Sequence, residues 1–222
     1  MAYSDSEKKY YFPDIIKKVT VAFMGQFKDI RIAKYDLSGN IINYRNVPIV
    51  FGSKQALLTK RNKTNQEDFS QYLPRISVVI TGMSPTPNKN AGPEILPIFR
   101  YKLTDAEYNS IFRPSAYTLE FSVSILSMHL SESNQILEQI LPHYNPYKPI
   151  TIQEFDMVPD FTRDIKVGLT GITADLKDEV TEEEIRKIIW DLNFTVDCFL
   201  YKPILFNDII KSINIELLNT MD

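Results

Sequence analysis

The sequence predicts an α+β fold with a mixed, mainly antiparallel β-sheet and about three helices. Several segments alternate apolar and polar residues, as expected for strands with one solvated face. Helical segments interrupt these strands without a regular βαβ rhythm. At 222 residues and 44% hydrophobic content, the chain suits a single domain spanning 1–222. Within it we expect a flexible N-terminus at 1–9, a proline-rich extended loop at 84–97 and a C-terminal segment at 204–222.

The helices are predicted from apolar residues that recur at helical spacing. The clearest example runs from Pro13 to Phe27, where the proline suits the first turn. The predicted helices are 13–27, 54–61 and 131–144. The candidate N-cap residues are Ser53 for the second helix and Ser131 or Ser133 for the third.

Period-two alternation predicts the strands. The first two flank the turn LSGN and predict a hairpin, and Pro48 indicates an exposed edge or a bulge in the second. The C-terminal segment fits either a final strand or a short helix. The predicted strands are 30–35, 41–51, 74–83, 117–130, 150–155, 161–172 and 188–200.

The strand at 117–130, YTLEFSVSILSMHL, changes its apolar phase halfway. Apolar residues occupy odd positions up to Ile125 and even positions from Leu126 onward. One interpretation places a bulge near these two residues, which would turn the second half toward another surface, such as a neighbouring subunit. The other interpretation is a strand that bends around its own core.

The strand at 188–200 has the most regular alternation in the chain. Trp190 and Cys198 fall on its apolar face, so we expect both in the core. Cys198 is therefore predicted to be a buried, unreactive thiol rather than a nucleophile.

Composition narrows the possible classes of protein. A single cysteine forms no internal disulfide, no apolar run has the length of a membrane span, and MAYSDSEKKYY is no signal peptide. We therefore expect synthesis in a cytoplasm and no membrane partner. A net charge of −3 does not favour a nucleic-acid binder.

The sequence lacks the motifs of the common hydrolases, metalloproteases and nucleotide-binding proteins. His129 and His143 are interpreted as structural, and no catalytic, cofactor-binding or metal-binding residue is predicted. A chain poor in such chemistry favours a structural or interaction protein over an enzyme.

Three segments are candidate partner-docking or DNA-facing surfaces, although a solvated surface is the default interpretation of the two charged ones. The proline-rich loop ends in apolar residues, the stretch 175–184 is acidic, and a basic cluster lies on and after the second predicted helix. The candidate docking residues are Ile95, Leu96, Ile98, Glu182, Glu183 and Glu184. The candidate DNA- or partner-facing basic residues are Lys54, Lys60, Arg61 and Lys63.

An ordered set of segments resembles one family of phage proteins. The segments are NVPIVFGSKQALL (46–58), LPRISVVI (73–80), LEQILPHYNPY (137–147), FTRDIKVGL (161–169) and WDLNFTVDCFLYKP (190–203). Together with the N-terminal helix, they resemble the tail sheath stabilisers and tail completion proteins of T-even-like contractile-tailed bacteriophages. The resemblance covers about residues 10 to 203.

The resemblance implies a structural virion protein with a tail-terminator type of α+β fold. Such proteins form a hexameric ring at the head-proximal end of the tail, where they cap the tube and hold the last sheath ring extended. The implied partners are other copies of the chain, the sheath protein, the tube terminator and the head-neck connector proteins. Genomic DNA would pass through the ring without sequence-specific binding, and no cofactor is implied.

Two other classes remain open from the residues alone. One is a small-molecule-binding α+β module with a pocket between the sheet and the helix at 131–144. The other is an unrecognised cytoplasmic enzyme that uses Asp or Glu residues. A ring-forming protein should assemble into hexamers, whereas neither alternative requires it.

Overall fold

The computed structural model describes residues 12–36, 38–55, 73–86, 97–102, 107–155, 161–176, 188–202 and 205–208. In these ranges the fold is α+β and its sheets are mainly antiparallel, as predicted. The described residues form two α-helices rather than about three, because the predicted helix at 54–61 is described only at its helical residues 54 and 55. The elements are α1 (Ile15–Gly25), β1 (Arg31–Tyr35), β2 (Ile41–Asn46), β3 (Ile49–Phe51), β4 (Arg75–Pro85), β5 (Pro97–Lys102), β6 (Glu107–Phe112), β7 (Ser115–Ser127), α2 (Leu130–Ile140), a 3₁₀ turn (Leu141–His143), β8 (Lys148–Gln153), β9 (Thr162–Leu176), β10 (Ile188–Leu200) and β11 (Leu205–Asp208).

The main layer is a six-stranded sheet with the order β3-β4-β7-β10-β9-β8. Only the β3–β4 pair is parallel. Helices α1 and α2 both pack on one face, where their buried residues join those of the central strands in one hydrophobic core. This two-layer arrangement buries one face of each element, which is the usual solution for an amphipathic sheet.

Aromatic side chains pack α1 against the central strands of the sheet. Phe23 of α1 stacks on Phe121 of β7 with ring centroids 4.4 Å apart, and its edge meets Phe194 of β10 at 5.4 Å. Tyr144, which follows α2, meets the same Phe194 ring at 4.9 Å. Such pairs add about 0.5–1.5 kcal/mol each beyond their buried area, so this cluster fixes the position of the helical layer.

Strand β10 follows the predicted alternation closely. Cys198 and Phe194 are buried in the main core, and Trp190 is half-buried against it. Strand β10 lies between β7 and β9, and its residues 188–196 pair with both neighbours. The prediction that Cys198 lies on the buried face is confirmed.

The phase change in β7 does not come from a bulge, which was the first of the two interpretations. Residues 115–127 pair with β10 without a register shift, so no bulge occurs near Ile125 and Leu126. Leu126 instead packs with Leu73 in a second apolar cluster, which Val50 and Met128 extend. This end of β7 is buried on both faces, and the apolar pattern therefore stops alternating.

The predicted strand at 41–51 is two strands that belong to different sheets. Strand β2 pairs with β1 in the predicted hairpin, whereas β3 joins β4 at one edge of the main sheet. The chain changes sheets at Val47 and Pro48, where Val47 donates its N–H to the Ile30 carbonyl and the Pro48 carbonyl accepts from Ile76. Since proline donates no hydrogen bond, its place beside an edge strand agrees with the prediction.

Helix α2 begins one residue before the predicted start. The preceding residue, His129, has an extended backbone and occupies the N-cap position without a side-chain cap. Neither predicted serine is the N-cap. Ser133 lies inside the first turn and donates from its hydroxyl to the Leu130 carbonyl at 2.9 Å.

The ends of the predicted proline-rich loop belong to strands. Ser84 and Pro85 complete β4, and Pro97 begins β5, while 87–96 lies outside the described residues. Strands β5, β6 and β11 form a separate antiparallel sheet with the order β11-β6-β5, of which β5 and β6 were not predicted. Strand β11 shows that the C-terminal segment begins with a strand; 1–9 and 209–222 lie outside the described residues.

Candidate interaction surfaces

The β1–β2 hairpin is held against the body by two glutamines of helix α2. Gln135 accepts from the Ala33 N–H at 2.7 Å and donates to the Ala33 carbonyl at 3.4 Å. Gln139, one helical turn later, accepts from the Arg31 N–H at 3.2 Å and donates to the Arg31 carbonyl at 2.7 Å. Each side-chain amide supplies the donor and the acceptor that a neighbouring strand would supply. One edge of the hairpin is therefore covered.

The same hairpin displays the largest group of exposed apolar side chains in the described part of the protein. Ile42 is 68% exposed and Tyr44 is 60% exposed. Isolated apolar residues on a surface need no explanation, but a cluster on one small element indicates an interaction site. The exposed apolar residues of the hairpin are Tyr35, Ile41, Ile42 and Tyr44.

A buried charged network ties together the ends of three strands. Glu154, just after β8, is fully buried; its Oε1 accepts from Arg163 Nε at 2.8 Å, and its Oε2 accepts from the Tyr201 hydroxyl. Arg163 also donates to the Tyr201 oxygen at 3.0 Å. The Lys18 ammonium of α1 donates to the Glu154 carbonyl at 3.2 Å. A buried carboxylate is tolerated only with such partners, so this network fixes how the chain enters and leaves β8, β9 and β10.

Aromatic rings enclose this network. Phe155, Phe161 and Tyr201 contact one another with centroids 4.7 to 6.5 Å apart, and the Arg163 guanidinium lies 4.4 Å from the Phe199 ring centroid. Rings on this side reduce access of water to the carboxylate and strengthen its hydrogen bonds.

The pKa values around the network follow from burial and charge. Burial lowers the pKa of Arg163, but its contacts with Tyr201 and Glu154 outweigh this effect and raise the pKa overall. Burial and the hydrogen bond to Glu154 raise the pKa of Tyr201 above its usual range. Burial, with a smaller contribution from Glu154, raises the pKa of the Cys198 thiol to about 11. A thiolate at Cys198 is thereby disfavoured, which argues against a nucleophilic role.

The face of the main sheet opposite the helices carries a polar row. Ser77, Ser124 and Asp191 are directly opposite one another on β4, β7 and β10. Ser124 donates to Asp191 Oδ1, and Lys54 Nζ lies 2.5 Å from Asp191 Oδ2. Lys54 was predicted as a DNA- or partner-facing residue, and in the structure its ammonium is used within the chain.

A pocket of about 290 Å³ lies between the C-terminal ends of the two helices. Its floor includes Phe27 and Tyr144, and Asp29, Glu138 and Lys148 contribute charges to it. Burial raises the pKa of the Tyr144 hydroxyl above its usual range. The pocket adjoins the helix of the small-molecule alternative, and Lys148 of strand β8 also lines it. Its volume is near the lower limit for ligand sites.

Most of the predicted docking residues cannot be placed. Ile98 lies in β5, which pairs with β6. The remaining candidates, which lie outside the described residues, are Ile95, Leu96, Glu182, Glu183, Glu184, Lys60, Arg61 and Lys63. For these residues the docking and basic-surface assignments remain predictions.

The described residues contain neither a metal site nor a membrane-spanning helix. No group of three or more His, Cys, Asp or Glu residues there could hold a metal ion. None of the helices in the described ranges is long and apolar enough to cross a membrane.

Comparison with known proteins decides the family. The family model described as the T4-like virus Myoviridae tail sheath stabiliser matches residues 10–222. The chain belongs to this family. It is also 28% identical over 206 residues to the "Tail completion protein gp15" of Enterobacteria phage T4, an alignment that covers 88% of this chain and 73% of that relative. The resemblance predicted from the ordered segments is confirmed.

Membership of the sheath stabiliser family identifies the chain as a structural protein of a contractile phage tail, and hence of the virion. A structural family points away from enzymatic activity. A tail-associated protein of this kind is expected to interact with other tail components.

Sequence reasoning missed the two groups that hold the surfaces in place. The glutamine pair had a signal, because Gln135 and Gln139 are spaced one helical turn apart on a helix that was predicted. The Glu154 network had none, because its members are far apart in sequence and each is ordinary by itself.

Proposed function

We propose that this sheath stabiliser forms a hexameric ring at the head-proximal end of the tail. In that position it caps the finished tube and sheath, keeps the sheath extended and offers the surface on which the head and neck dock. The observation that supports this proposal is the family match over residues 10–222. We further propose that its α+β fold is of the tail-terminator type.

The proposed partners are other copies of the chain, the sheath protein, the tube terminator and the head-neck connector proteins. DNA would pass through the ring without sequence-specific binding. We propose synthesis and assembly in the host cytoplasm. The exposed apolar hairpin supports a role in contacts, since a monomeric protein rarely displays such a cluster on one element.

Electron microscopy of phage particles provides the test. We expect one ring of six copies between the last sheath ring and the head. Particles made without this chain should have tails that lose their extended sheath and fail to join heads. A position at the baseplate, or normal head joining without the chain, would overturn the proposal.

A further inference from the structure

The chain presents a second strand edge besides that of the hairpin, and both are open among the described residues. On the covered side of β1, Arg31 and Ala33 direct their backbone groups toward α2. Because these directions alternate along the regular part of an antiparallel pair, Tyr44 and Asn46 of β2 direct theirs away from β1, whereas Ile42 is the extra residue at a register shift. The only hydrogen bond recorded there for these groups in the described part joins the Tyr44 N–H to the Asn43 side chain at 2.7 Å.

The second open edge belongs to the far half of β9. Strand β8 pairs with residues 162–167 only, so from Gly168 onward β9 pairs with β10 alone. The Glu154 N–H donates to the Phe161 carbonyl, so the backbone groups of Phe161 point toward β8. Along β9 the backbone groups of successive residues then point alternately toward β8 and toward β10. One extra residue, Thr170, shifts that alternation, because Leu169 and Gly171 face consecutive residues of β10. Ile172 and Ala174 therefore direct their backbone groups outward.

We infer that these two edges pair with each other between adjacent copies, with β2 of one copy adding to β9 of the next. The inference rests on the proposed ring and specifies its contact. A closed ring needs two different patches that meet around the axis, and the β2 edge and the far half of the β9 edge are two different patches. Unpaired edges invite uncontrolled pairing, and a head-to-tail ring covers both in every copy.

Exposed apolar side chains and opposite charges favour a second copy of the chain as the partner of these edges. Ile42 and Tyr44 beside one edge and Ile172 beside the other are exposed apolar residues that pairing would cover. Exposed Arg31 and Lys34 lie on the hairpin, and exposed Asp175 lies on β9. The contact therefore combines backbone hydrogen bonds with apolar cover and opposite charge, as in other cases of strand addition.

Proline substitution tests the backbone contact. Asn46→Pro and Ala174→Pro each remove an outward N–H without removing a hydrogen bond between the described residues. Each variant alone should fail to form rings when assembled tails or concentrated protein are examined by sedimentation and microscopy. An equal mixture of the two should give heterodimers, because one intact β2 edge meets one intact β9 edge. If Asn46→Pro alone prevents association and Ala174→Pro has no effect, the contact is two-fold and the inference is wrong.

Cysteine cross-linking provides a measurement that does not depend on tolerance of proline. Tyr44→Cys is combined in turn with cysteine at each position from 171 to 175, and buried Cys198 should not compete. Paired strands bring opposite residues within disulfide reach, so cross-links between copies should form at alternate positions only. Tyr147→Cys with Ile172→Cys is the matched control, since Tyr147 is exposed but lies on neither edge.

Different results would refute the strand pairing and the proposed function. Rings that are visible in particles but give no cross-link from position 44 to β9 would refute the strand pairing and leave the proposed function standing. Particles without a ring of this chain would refute the proposed function itself.

Discussion

The side chain of Gln135 bonds to both backbone groups of Ala33, accepting from its N–H at 2.7 Å and donating to its carbonyl at 3.4 Å. The two residues are 102 positions apart in the sequence. A helix thereby covers the edge of a strand through a side-chain amide, and the hairpin takes its position from this contact.

Gln135→Ala should loosen the hairpin. The Ala33 backbone groups would lose their partners, and the expected cost is about 1–3 kcal/mol of unfolding free energy. Urea unfolding and hydrogen exchange at the Ala33 amide measure the effect. Glu138→Ala, on an exposed position of the same helix, is the control and should change stability little. Unchanged exchange at Ala33 in the Gln135 variant would contradict the prediction.

Arg163→Ala should be more damaging than Tyr201→Phe. The first leaves the fully buried Glu154 carboxylate without its charged partner, which costs about 3–5 kcal/mol. The second removes one hydroxyl from the network and should cost about 1–3 kcal/mol. Chemical denaturation of both variants under identical conditions gives the comparison. Equal, small losses below about 0.5 kcal/mol would show that water supports the carboxylate instead.

Stability should fall as the pH rises through the range from 9 to about 11. Burial raises the pKa of Cys198 from 9.0 to about 11, so the folded state retains a thiol proton that the unfolded state releases. The contribution is fully present below pH 9 and is lost as the pH rises through the folded pKa, with a slope of at most about 1.4 kcal/mol per pH unit. Urea midpoints of the wild type and Cys198→Ala across this range provide the test. The variant should lose less stability, and parallel curves would exclude this contribution.

Native thiol labelling should also be slow, because Cys198 has no exposed surface. Labelling should become rapid after denaturation. Rapid labelling of the folded protein would mean that the register of β10 is wrong.

Trp190→Ala should destabilise the fold by about 3 kcal/mol, at the lower end for tryptophan because the side chain is only half-buried. Trp190→Phe should cost less. It keeps a ring against the core and removes an indole N–H that is buried without a hydrogen-bond partner among the described residues. Thermal unfolding of both variants measures the difference. A loss below about 1 kcal/mol for Trp190→Ala would place this face outside the core.

The predicted docking segments can be tested with more selective changes than the sequence allowed. Because Ser84, Pro85 and Pro97 belong to strands, only 87–96 should be replaced by a Gly-Ser linker. A second variant changes Glu182, Glu183 and Glu184 to Lys. Both should fold and impair tail completion or head joining, and the charge variant should depend more strongly on salt. Normal yields of infectious particles from the linker variant would show that the loop is only a connection.

The sequence predicted the features that depend on neighbouring residues. Strand β10 and helix α1 repeat their apolar residues regularly, so their buried faces could be assigned before the structure was known. Features that depend on distant residues could not be assigned. Leu126 is buried by Leu73 and Val50, which no local pattern reveals, and the resulting phase change left a bulge and a bent strand as open interpretations.

The residues of the contact surfaces also depend partly on neighbouring residues and partly on distant ones. Exposed Ile42 and Tyr44 lie in a strand that was predicted, but no local pattern shows that this strand lies outside the main core. The Glu154 network joins positions that come together only when β8, β9 and β10 are paired. The residue pattern of each segment therefore predicted most of the helices and strands. Contacts between distant segments determined the surfaces.

The strand order of the main sheet also bears on how the subunit is made. Strand β7 lies between β4 and β10, and β10 is among the last elements to leave the ribosome. Until Leu200 has been synthesised, one edge of β7 has no partner and Phe121 lacks the neighbouring strand that carries Phe194. Pairings between distant segments also form slowly. The subunit should therefore fold after its translation is nearly complete, and nascent chains need protection from one another until then.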